Sequence, residues 1–318
     1  PRAHGSQRRM TVVGRFAPSP SGLMHLGNAR TALLAWLDAR ARGGEMLLRI
    51  EDLDRERCRP EYAQAIRDDL AWLGLDWDAE TRPQSQRDPD YAAALERLSQ
   101  RGLVYECFCT RRELAAVASA PHGSDDQPAY PGTCRELTAA QRERLRAEGK
   151  RPALRVRMPE GAVEVRDRLH GSGPRPVGGD VIVRRSDGLY AYQLAVVVDD
   201  AADGVTDVVR GDDLLGSTAR QVALQELLGL PQPAYAHVPL MLGEDGQRLA
   251  KRHGAVAVAD LRAAGATAGE VVGALAGSAG IGDGQAAAAA ELIEGFELTR
   301  VGRRPWRLAP GTPILSAT

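Results

Sequence analysis

The most informative chemistry in the sequence lies where a small-residue loop leads into a helical pattern. His25 and Gly27 follow the loop Pro18–Gly22, and apolar residues then recur at three- and four-residue spacing from Ala29 to Leu37. Because a helix N-terminus presents unpaired N–H groups and a partial positive charge, this arrangement predicts a phosphate-binding site. The glycine spacing matches neither the dinucleotide fingerprint G-x-G-x-x-G nor a Walker A loop, so neither of those nucleotide sites is indicated.

Three cysteines form a second candidate site. Cys107, Cys109 and Cys134 lie within 28 residues of one another. We expect no secretory signal, and closely spaced cysteines then indicate a metal site more than a disulfide. Structural zinc is tetrahedral and needs a fourth ligand, for which the residue types leave His122, the commoner kind of ligand, or Tyr130. Three reduced cysteines without metal are the alternative.

Strands and helices that must position these residues alternate along the chain. A strand pattern at Val12–Val13 precedes the loop, and a second at Glu45–Asp54 ends in a run of acids. This order predicts an α/β fold with a parallel sheet and helices on both faces. Further helices are expected at Pro60–Leu73, Tyr91–Leu103 and Ser217–Leu228, and further strands at Val181–Arg185, Ala191–Val198 and Val205–Arg210.

Composition limits the partners that the protein can have. The chain has 318 residues, is 43% hydrophobic and carries a net charge of −1. Any contact with RNA must therefore come from local basic patches, because the whole molecule does not attract a polyanion. No uncharged apolar run approaches the roughly 18 residues that a membrane-spanning helix needs. We expect a cytoplasmic protein without a membrane segment, and a monomer.

Two motifs resemble those of the class I aminoacyl-tRNA synthetases. The segment Arg15–Gly44 is similar to the opening of the glutamyl-tRNA synthetase catalytic domain, with His25-Leu26-Gly27-Asn28 standing for its H-I-G-H signature. Asn28 replaces the second histidine. More than two hundred residues later, the stretch 248–252, RLAKR, resembles the K-M-S-K-S loop and keeps its second lysine as Lys251. Only two of the 41 basic residues are lysine, so a lysine at this position supports the resemblance.

The resemblance implies roles for individual residues. It implies a Rossmann-like nucleotide fold that binds ATP with its magnesium ion, and a pocket for L-glutamate. The residues implied for glutamate are Arg15, Ala17, Ser19, Glu51, Tyr192 and Arg210. Those implied for ATP are His25, Gly27, Asn28 and Lys251, of which His25 and Lys251 would act catalytically.

The cysteine pattern narrows the resemblance further. A Cys-x-Cys pair followed by Tyr-x-x-x-Cys resembles the zinc site of the glutamyl-Q tRNA(Asp) synthetases, a family of truncated paralogues. This resemblance implies one structural zinc ion held by Cys107, Cys109, Tyr130 and Cys134. It also implies that the protein activates glutamate with ATP without needing tRNA. The glutamate would then be esterified to queuosine at the wobble position of tRNA(Asp).

The same resemblance divides the chain into five parts. We expect an extension at 1–9, the first half of the catalytic domain at 10–104 and an inserted zinc-binding, acceptor-type domain at 105–179. The second half with its K-M-S-K-S-like loop is expected at 180–256, and a small helical stem-like region at 257–318. An anticodon-binding domain is not expected.

Two other functions stay open from the sequence. The chain could be a glutamyl-tRNA synthetase core that charges tRNA(Glu). It could also be a catalytically silent RNA-binding paralogue, because Asn28, Ala250 and Arg252 depart from the two signature motifs.

Overall fold

A five-stranded parallel sheet forms the centre of the protein. The computed structural model describes residues 11–110, 112–113, 130–243, 245–246 and 256–307. The sheet runs in the order β10-β9-β1-β2-β3, and its neighbouring strands are all parallel. These strands are β1 (Val13–Phe16), β2 (Glu45–Leu48), β3 (Ala79–Glu80), β9 (Asp207–Gly211) and β10 (Ala234–Val238). The predicted α/β fold with a parallel sheet is therefore confirmed.

Helices cover both faces of this sheet, because its side chains alternate between two cores. Met46 and Leu48 of β2 belong to one core, and Leu47 belongs to the other. The first core is covered by α1 (Leu26–Ala41), α2 (Pro60–Trp72), α7 (Val258–Ala263) and α8 (Ala268–Ser278). The second is covered by α3 (Asp88–Gln100), α5 (Tyr192–Ala202) and α6 (Leu215–Leu228).

The segment between α3 and α5 builds smaller antiparallel sheets. One contains β4 (Val104–Cys107), β5 (Ala153–Val156) and β8 (Val181–Arg184), and the other is a hairpin of β6 (Ala162–Val165) and β7 (Gly173–Pro176). Helix α4 (Ala139–Ala147) lies between β4 and β5 in the chain. Strand β8 pairs with β5, although its position after residue 180 placed it with the second half of the nucleotide fold.

One predicted strand is a helix. The sequence predicts a strand at Ala191–Val198, where Val196, Val197 and Val198 are β-branched, yet Ala191 is the N-cap of α5 and the rest lies in that helix. The helix ends before Gly204, whose φ of +71° suits glycine. Burial of one helix face outweighs the local preference of the valines, as tertiary contacts often do.

The alanine- and glycine-rich C-terminal part packs on the first core. Val271, Val272 and Leu275 of α8 are buried in the same cluster as α1. Gly273 and Gly277 let the chain at 283–286 approach α8 closely, since an added Cβ on Gly273 would collide with the backbone there. Strand β11 (Met241–Leu242) pairs with β12 (Trp306–Arg307). In the part of the chain that the structure describes, no helix has the length and apolar character to cross a membrane.

Candidate active site

The carboxyl ends of the parallel strands bring together the polar residues of the pocket. Arg15 lies in β1, Arg210 in β9, Glu51 follows β2 by three residues, and Tyr192 begins α5. Burial raises the pKa of the Tyr192 hydroxyl, on which the charges of Arg210, Glu51 and Arg15 also act. The strand order reverses between β1 and β9, which is where open α/β sheets bind their ligands. Four residues far apart in the sequence therefore lie close enough to interact at this edge of the sheet.

The loop after β1 lies beside this pocket. Ala17 is half-buried, whereas Ser19 is exposed. The backbone N–H of Glu51 donates to the carbonyl of Pro18 at 3.0 Å, and that of Ser21 donates to the carbonyl of Ser19 at 2.8 Å. These hydrogen bonds tie the loop to the end of β2 and fix its path next to Arg15.

Arg49, which the sequence analysis did not select, is the centre of a buried ionic network. Its side chain is 0% exposed, and its Nη2 lies 3.2 Å from Oε1 of Glu51 and 2.7 Å from Oδ1 of Asp200. The same Asp200 oxygen accepts from Nε of Arg15 at 3.4 Å. Although burial alone would raise the pKa of Asp200, Arg49 and Arg15 hold it below its usual range. Arg15 and Glu51 are thus oriented by one shared set of ion pairs.

The network continues behind Arg49. Asp199 accepts hydrogen bonds from Nε2 of Gln84 at 2.7 Å and from the hydroxyl of Tyr91 at 3.0 Å. Among the described residues, ion pairs link four carboxylates and three guanidinium groups into one network, and the charge of Arg210 also acts on its Asp200. These groups are Glu51, Asp199, Asp200, Asp203, Arg15, Arg49 and Arg87.

Arg210 presents one unpaired nitrogen. Its side chain is 4% exposed, its Nε donates to Nε2 of His237 at 3.0 Å and its Nη2 donates to Oγ1 of Thr218 at 2.9 Å. Its Nη1 has no hydrogen-bond partner among the described residues. A buried guanidinium N–H without an acceptor is costly, so the geometry favours a ligand oxygen at this position.

The N-terminus of α1 forms the second half of the site. Nδ1 of His25 accepts from the backbone N–H of Asn28 at 3.2 Å, which assigns the proton of a neutral ring to Nε2. An added Cβ on Gly27 would come within 3.1 Å of the His25 ring, so glycine lets the imidazole stay over the helix end. An Nε2–H donor and the helix N-terminus suit a phosphate oxygen.

Lys251 lies outside the described residues, as does His122. The chain that follows Lys251 is described from Val256 onward and runs alongside the start of α1. The N–H of Val258 donates to the carbonyl of Met24 at 2.9 Å, and Ala257 forms a β-bridge with His25. The described flank of the K-M-S-K-S-like stretch therefore lies next to His25.

The cysteines of the second candidate site lie together. The Sγ atoms of Cys107, Cys109 and Cys134 are all within 4.8 Å of one another, with 3.6 Å between those of Cys109 and Cys134. The hydroxyl of Tyr130 lies 3.5 Å from Sγ of Cys107 and 3.8 Å from Sγ of Cys109. Zinc bonds of about 2.3 Å to sulfur in a tetrahedron place two sulfurs about 3.8 Å apart, so this donor set fits zinc.

Arg155 adds a positive charge to the cysteine site. Its guanidinium lies 3.8 Å from the centre of the Tyr130 ring. Burial alone would raise the pKa of Cys107, but hydrogen bonds involving Tyr130 and Arg155 bring it below its ordinary value. For Cys109, burial and the neighbouring thiols Cys107 and Cys134 raise the pKa to about 12. Arg155 would therefore compensate part of the negative charge that thiolates carry at this site.

Comparison with known proteins gives consistent results over nearly the whole chain. Residues 11–304 match the family described as "tRNA synthetases class I (E and Q), catalytic domain". The glutamyl-Q tRNA(Asp) synthetase of Symbiobacterium thermophilum is 52% identical over 95% of this chain and 97% of its own length. The protein of the same name from Nocardia farcinica is 56% identical over 93% of each chain.

A solved structure extends the comparison to the fold. The crystal structure of a glutamate tRNA ligase from Elizabethkingia meningosepticum, in complex with its amino acid, superposes with a TM-score of 0.78 at 27% identity. The match covers 94% of this chain and 67% of that ligase.

Proposed function

Because the chain belongs to the glutamyl-Q tRNA(Asp) synthetases, within the class I synthetases for glutamate and glutamine, we propose that it glutamylates queuosine in tRNA(Asp). In the first step it activates L-glutamate with ATP, without RNA, and forms glutamyl-adenylate and pyrophosphate. In the second step it transfers the glutamyl group to queuosine at the wobble position. The observation that carries the proposal is Nη1 of buried Arg210, which has no hydrogen-bond partner among the described residues; the charges of Arg210 and Glu51 both act on Tyr192.

Glutamate recognition follows from the charges of the pocket. The Nη1–H of Arg210 donates to the side-chain carboxylate, and Glu51 accepts from the substrate ammonium. Arg15 contributes a second guanidinium for carboxylate binding, and Ala17, Ser19 and Tyr192 complete the pocket. Charge-assisted bonds from guanidinium groups to carboxylates are strong and directional, which suits an acidic substrate.

Activation requires charge stabilisation more than covalent help from the protein. An oxygen of the α-carboxylate of glutamate attacks the α-phosphorus of ATP, and pyrophosphate leaves with additional negative charge. The Nε2–H of His25 and the helix N-terminus at Gly27 and Asn28 donate to the phosphates, and Lys251 adds a compact ammonium. ATP would bring its own magnesium ion, which would supply charge shielding to the phosphates.

The cysteine cluster holds one structural zinc ion in this proposal. Cys107, Cys109 and Cys134 supply three thiolates, and Tyr130 supplies the fourth ligand through its hydroxyl oxygen. These ligands would fix the start of the inserted segment (105–179) around a zinc ion, because they connect the end of β4 to the chain before α4.

Pyrophosphate exchange tests the first step. The purified protein should incorporate labelled pyrophosphate into ATP when L-glutamate is present and RNA is absent. D-Glutamate and L-aspartate serve as controls for the length and handedness of the pocket. Absence of exchange in the L-glutamate reaction would refute the proposal and favour a catalytically silent RNA-binding protein.

A further inference from the structure

A buried chain of hydrogen bonds connects the inserted segment to Arg210. Oδ2 of Asp167 lies 2.5 Å from Nδ1 of His237, and Nε2 of His237 lies 3.0 Å from Nε of Arg210. Asp167 lies between β6 and β7, whereas His237 and Arg210 face each other in β10 and β9. The exposed fractions are 3%, 0% and 4%, so solvent does not substitute for any of these contacts.

The donors and acceptors in this chain fix one tautomer of His237. Nε of Arg210 can only donate, so Nε2 of His237 must be the acceptor and its proton must be on Nδ1. That proton is donated to Asp167. Burial and the charge of Arg210 lower the pKa of His237 to about 4, so the ring is neutral at pH 7. Oγ1 of Thr218 accepts from Nη2 of Arg210 and donates to the carbonyl of Leu214 at 3.1 Å, which is compatible with this assignment.

Asp167 is itself held in one orientation. Its Oδ1 accepts from the backbone N–H groups of Leu169 at 2.8 Å and His170 at 2.7 Å. The chain around it pairs with β10, because the N–H of Arg168 donates to the carbonyl of Tyr235 at 2.9 Å. One carboxylate oxygen of Asp167 therefore accepts from the backbone of the loop, and the other accepts from Nδ1 of His237.

We propose that Asp167 and His237 are positioning residues that determine the specificity of the glutamate pocket. His237, which Asp167 orients, accepts from Nε of Arg210, and Thr218 accepts from Nη2, so that Nη1 is left facing the substrate carboxylate. This inference rests on the proposed function, since it concerns how glutamate is recognised. It also makes the inserted segment, which carries Asp167, part of the amino-acid pocket.

Asp167→Asn tests the proposal with almost no change in shape. The introduced amide keeps its oxygen on the two backbone N–H groups and turns its NH₂ towards Nδ1 of His237. His237 must then accept at Nδ1 and carry its proton on Nε2. Two N–H donors, Nε2–H of His237 and Nε–H of Arg210, would face each other, and the hydrogen bond between these residues would be lost. We expect the KM for glutamate to rise about tenfold or more, the scale of a lost hydrogen bond to a charged group. The KM for ATP and kcat should change by less than about twofold, because the contact is made to bound glutamate alone.

Asp180→Asn is the matched control. Asp180 is another buried carboxylate that follows β7, and it accepts from the Tyr105 hydroxyl at 2.6 Å and the N–H of Met158 at 2.8 Å. This variant should leave the KM for glutamate unchanged. A purely structural role for Asp167 predicts instead that both variants lower the thermal midpoint and reduce activity without a selective effect on glutamate. That result would overturn the proposal.

A measurement without turnover separates this inference from the proposed function. Long-range ¹H–¹⁵N spectra report which imidazole nitrogen carries the proton; His237 should show it on Nδ1 in the unmutated protein and on Nε2 in Asp167→Asn. Calorimetric titration with glutamate should show the weaker binding directly. If the unmutated protein binds glutamate but fails to exchange pyrophosphate, the proposed function fails and the titration still decides the inference. A His237 proton on Nε2 in the unmutated protein, or equal glutamate affinity in the two proteins, would refute it.

Discussion

Arg49, the residue that follows β2, and Asp200 of α5 form a 2.7 Å ion pair, and neither side chain is more than 4% exposed. Arg49 lies in the chain that connects β2 to Glu51, and Asp200 accepts from Arg15 of β1. One buried pair therefore connects the three elements that position the amino-acid pocket. Removing either partner would leave an uncompensated buried charge, which costs several kcal/mol.

We predict that Arg49→Met destabilises the protein by about 3–5 kcal/mol, because it leaves Asp200 and its neighbouring carboxylates short of a buried cation. Arg55→Met is the control: Arg55 is more than half exposed and pairs with exposed Asp88 at 3.1 Å, so its loss should cost about 1 kcal/mol or less. Chemical denaturation of both variants at pH 7 measures the difference. Equal losses of stability would show that the network is no more important than a surface ion pair.

Arg210→Ala should raise the KM for glutamate steeply and reduce the preference for glutamate over glutamine. In the unmutated protein that preference should be on the order of 10²-fold or more, since glutamine leaves a buried guanidinium without its charged partner. Arg210→Lys keeps the positive charge but loses the planar guanidinium with its paired N–H donors. We expect this variant to recover little of the affinity for glutamate. Pyrophosphate exchange with each amino acid provides the ratio. Equal use of glutamate and glutamine by the unmutated protein would contradict the pocket assignment.

Lys251→Ala should lower glutamate-dependent pyrophosphate exchange by roughly 10²-fold or more, the scale of losing one preorganised cationic donor. Lys251→Arg should recover little activity, because a planar guanidinium does not reproduce a compact ammonium. Lys150→Ala is a suitable control, because Lys150 is the other lysine of the chain and lies at the surface after α4. Full exchange activity in Lys251→Ala would show that the K-M-S-K-S-like stretch has been misidentified.

The purified protein should contain about one zinc ion per chain, measured by elemental analysis. Cys109→Ser should release the metal, and sulfur should dominate the coordination seen by X-ray absorption. Tyr130→Phe should weaken retention against a chelator, whereas His122→Ala should not. If His122→Ala loses zinc more readily and Tyr130→Phe retains it, the fourth ligand is His122 and not Tyr130.

Features that depend on local sequence motifs could be predicted from the sequence alone. The loop and helix around His25 and the parallel α/β order were predictable from residue spacing, and the Cys-x-Cys pair predicted a cluster with Cys134. In the structure these sulfurs lie within 4.8 Å of one another. Such features depend on residues that are close in the chain or that repeat a known pattern.

The residues that hold the pocket in place were not predictable in the same way. Arg49 and Asp200 are 151 positions apart, and their pairing requires α5 to be a helix rather than the strand that its valines suggest. The spacing of Asp199, Asp200 and Asp203 was the available signal, because acids three or four apart share one helix face. No sequence pattern indicated a role for His237, since the role that we propose depends on its contacts with Asp167 and Arg210, which are distant in the chain.

The central claim concerns the RNA acceptor, and the test must separate the wobble base from the 3′ end. Labelled glutamate would be offered with tRNA(Asp) containing queuosine, the same tRNA with guanosine at that position, and tRNA(Glu). A fourth sample would be queuosine-containing tRNA(Asp) without its 3′-terminal adenosine, which removes the usual site of aminoacylation.

We predict that label enters both queuosine-containing samples of tRNA(Asp), with and without the terminal adenosine. The guanosine-containing tRNA(Asp) and tRNA(Glu) should remain unlabelled. Labelling of tRNA(Glu), or loss of labelling with the terminal adenosine, would contradict the account and identify a synthetase that charges the 3′ end.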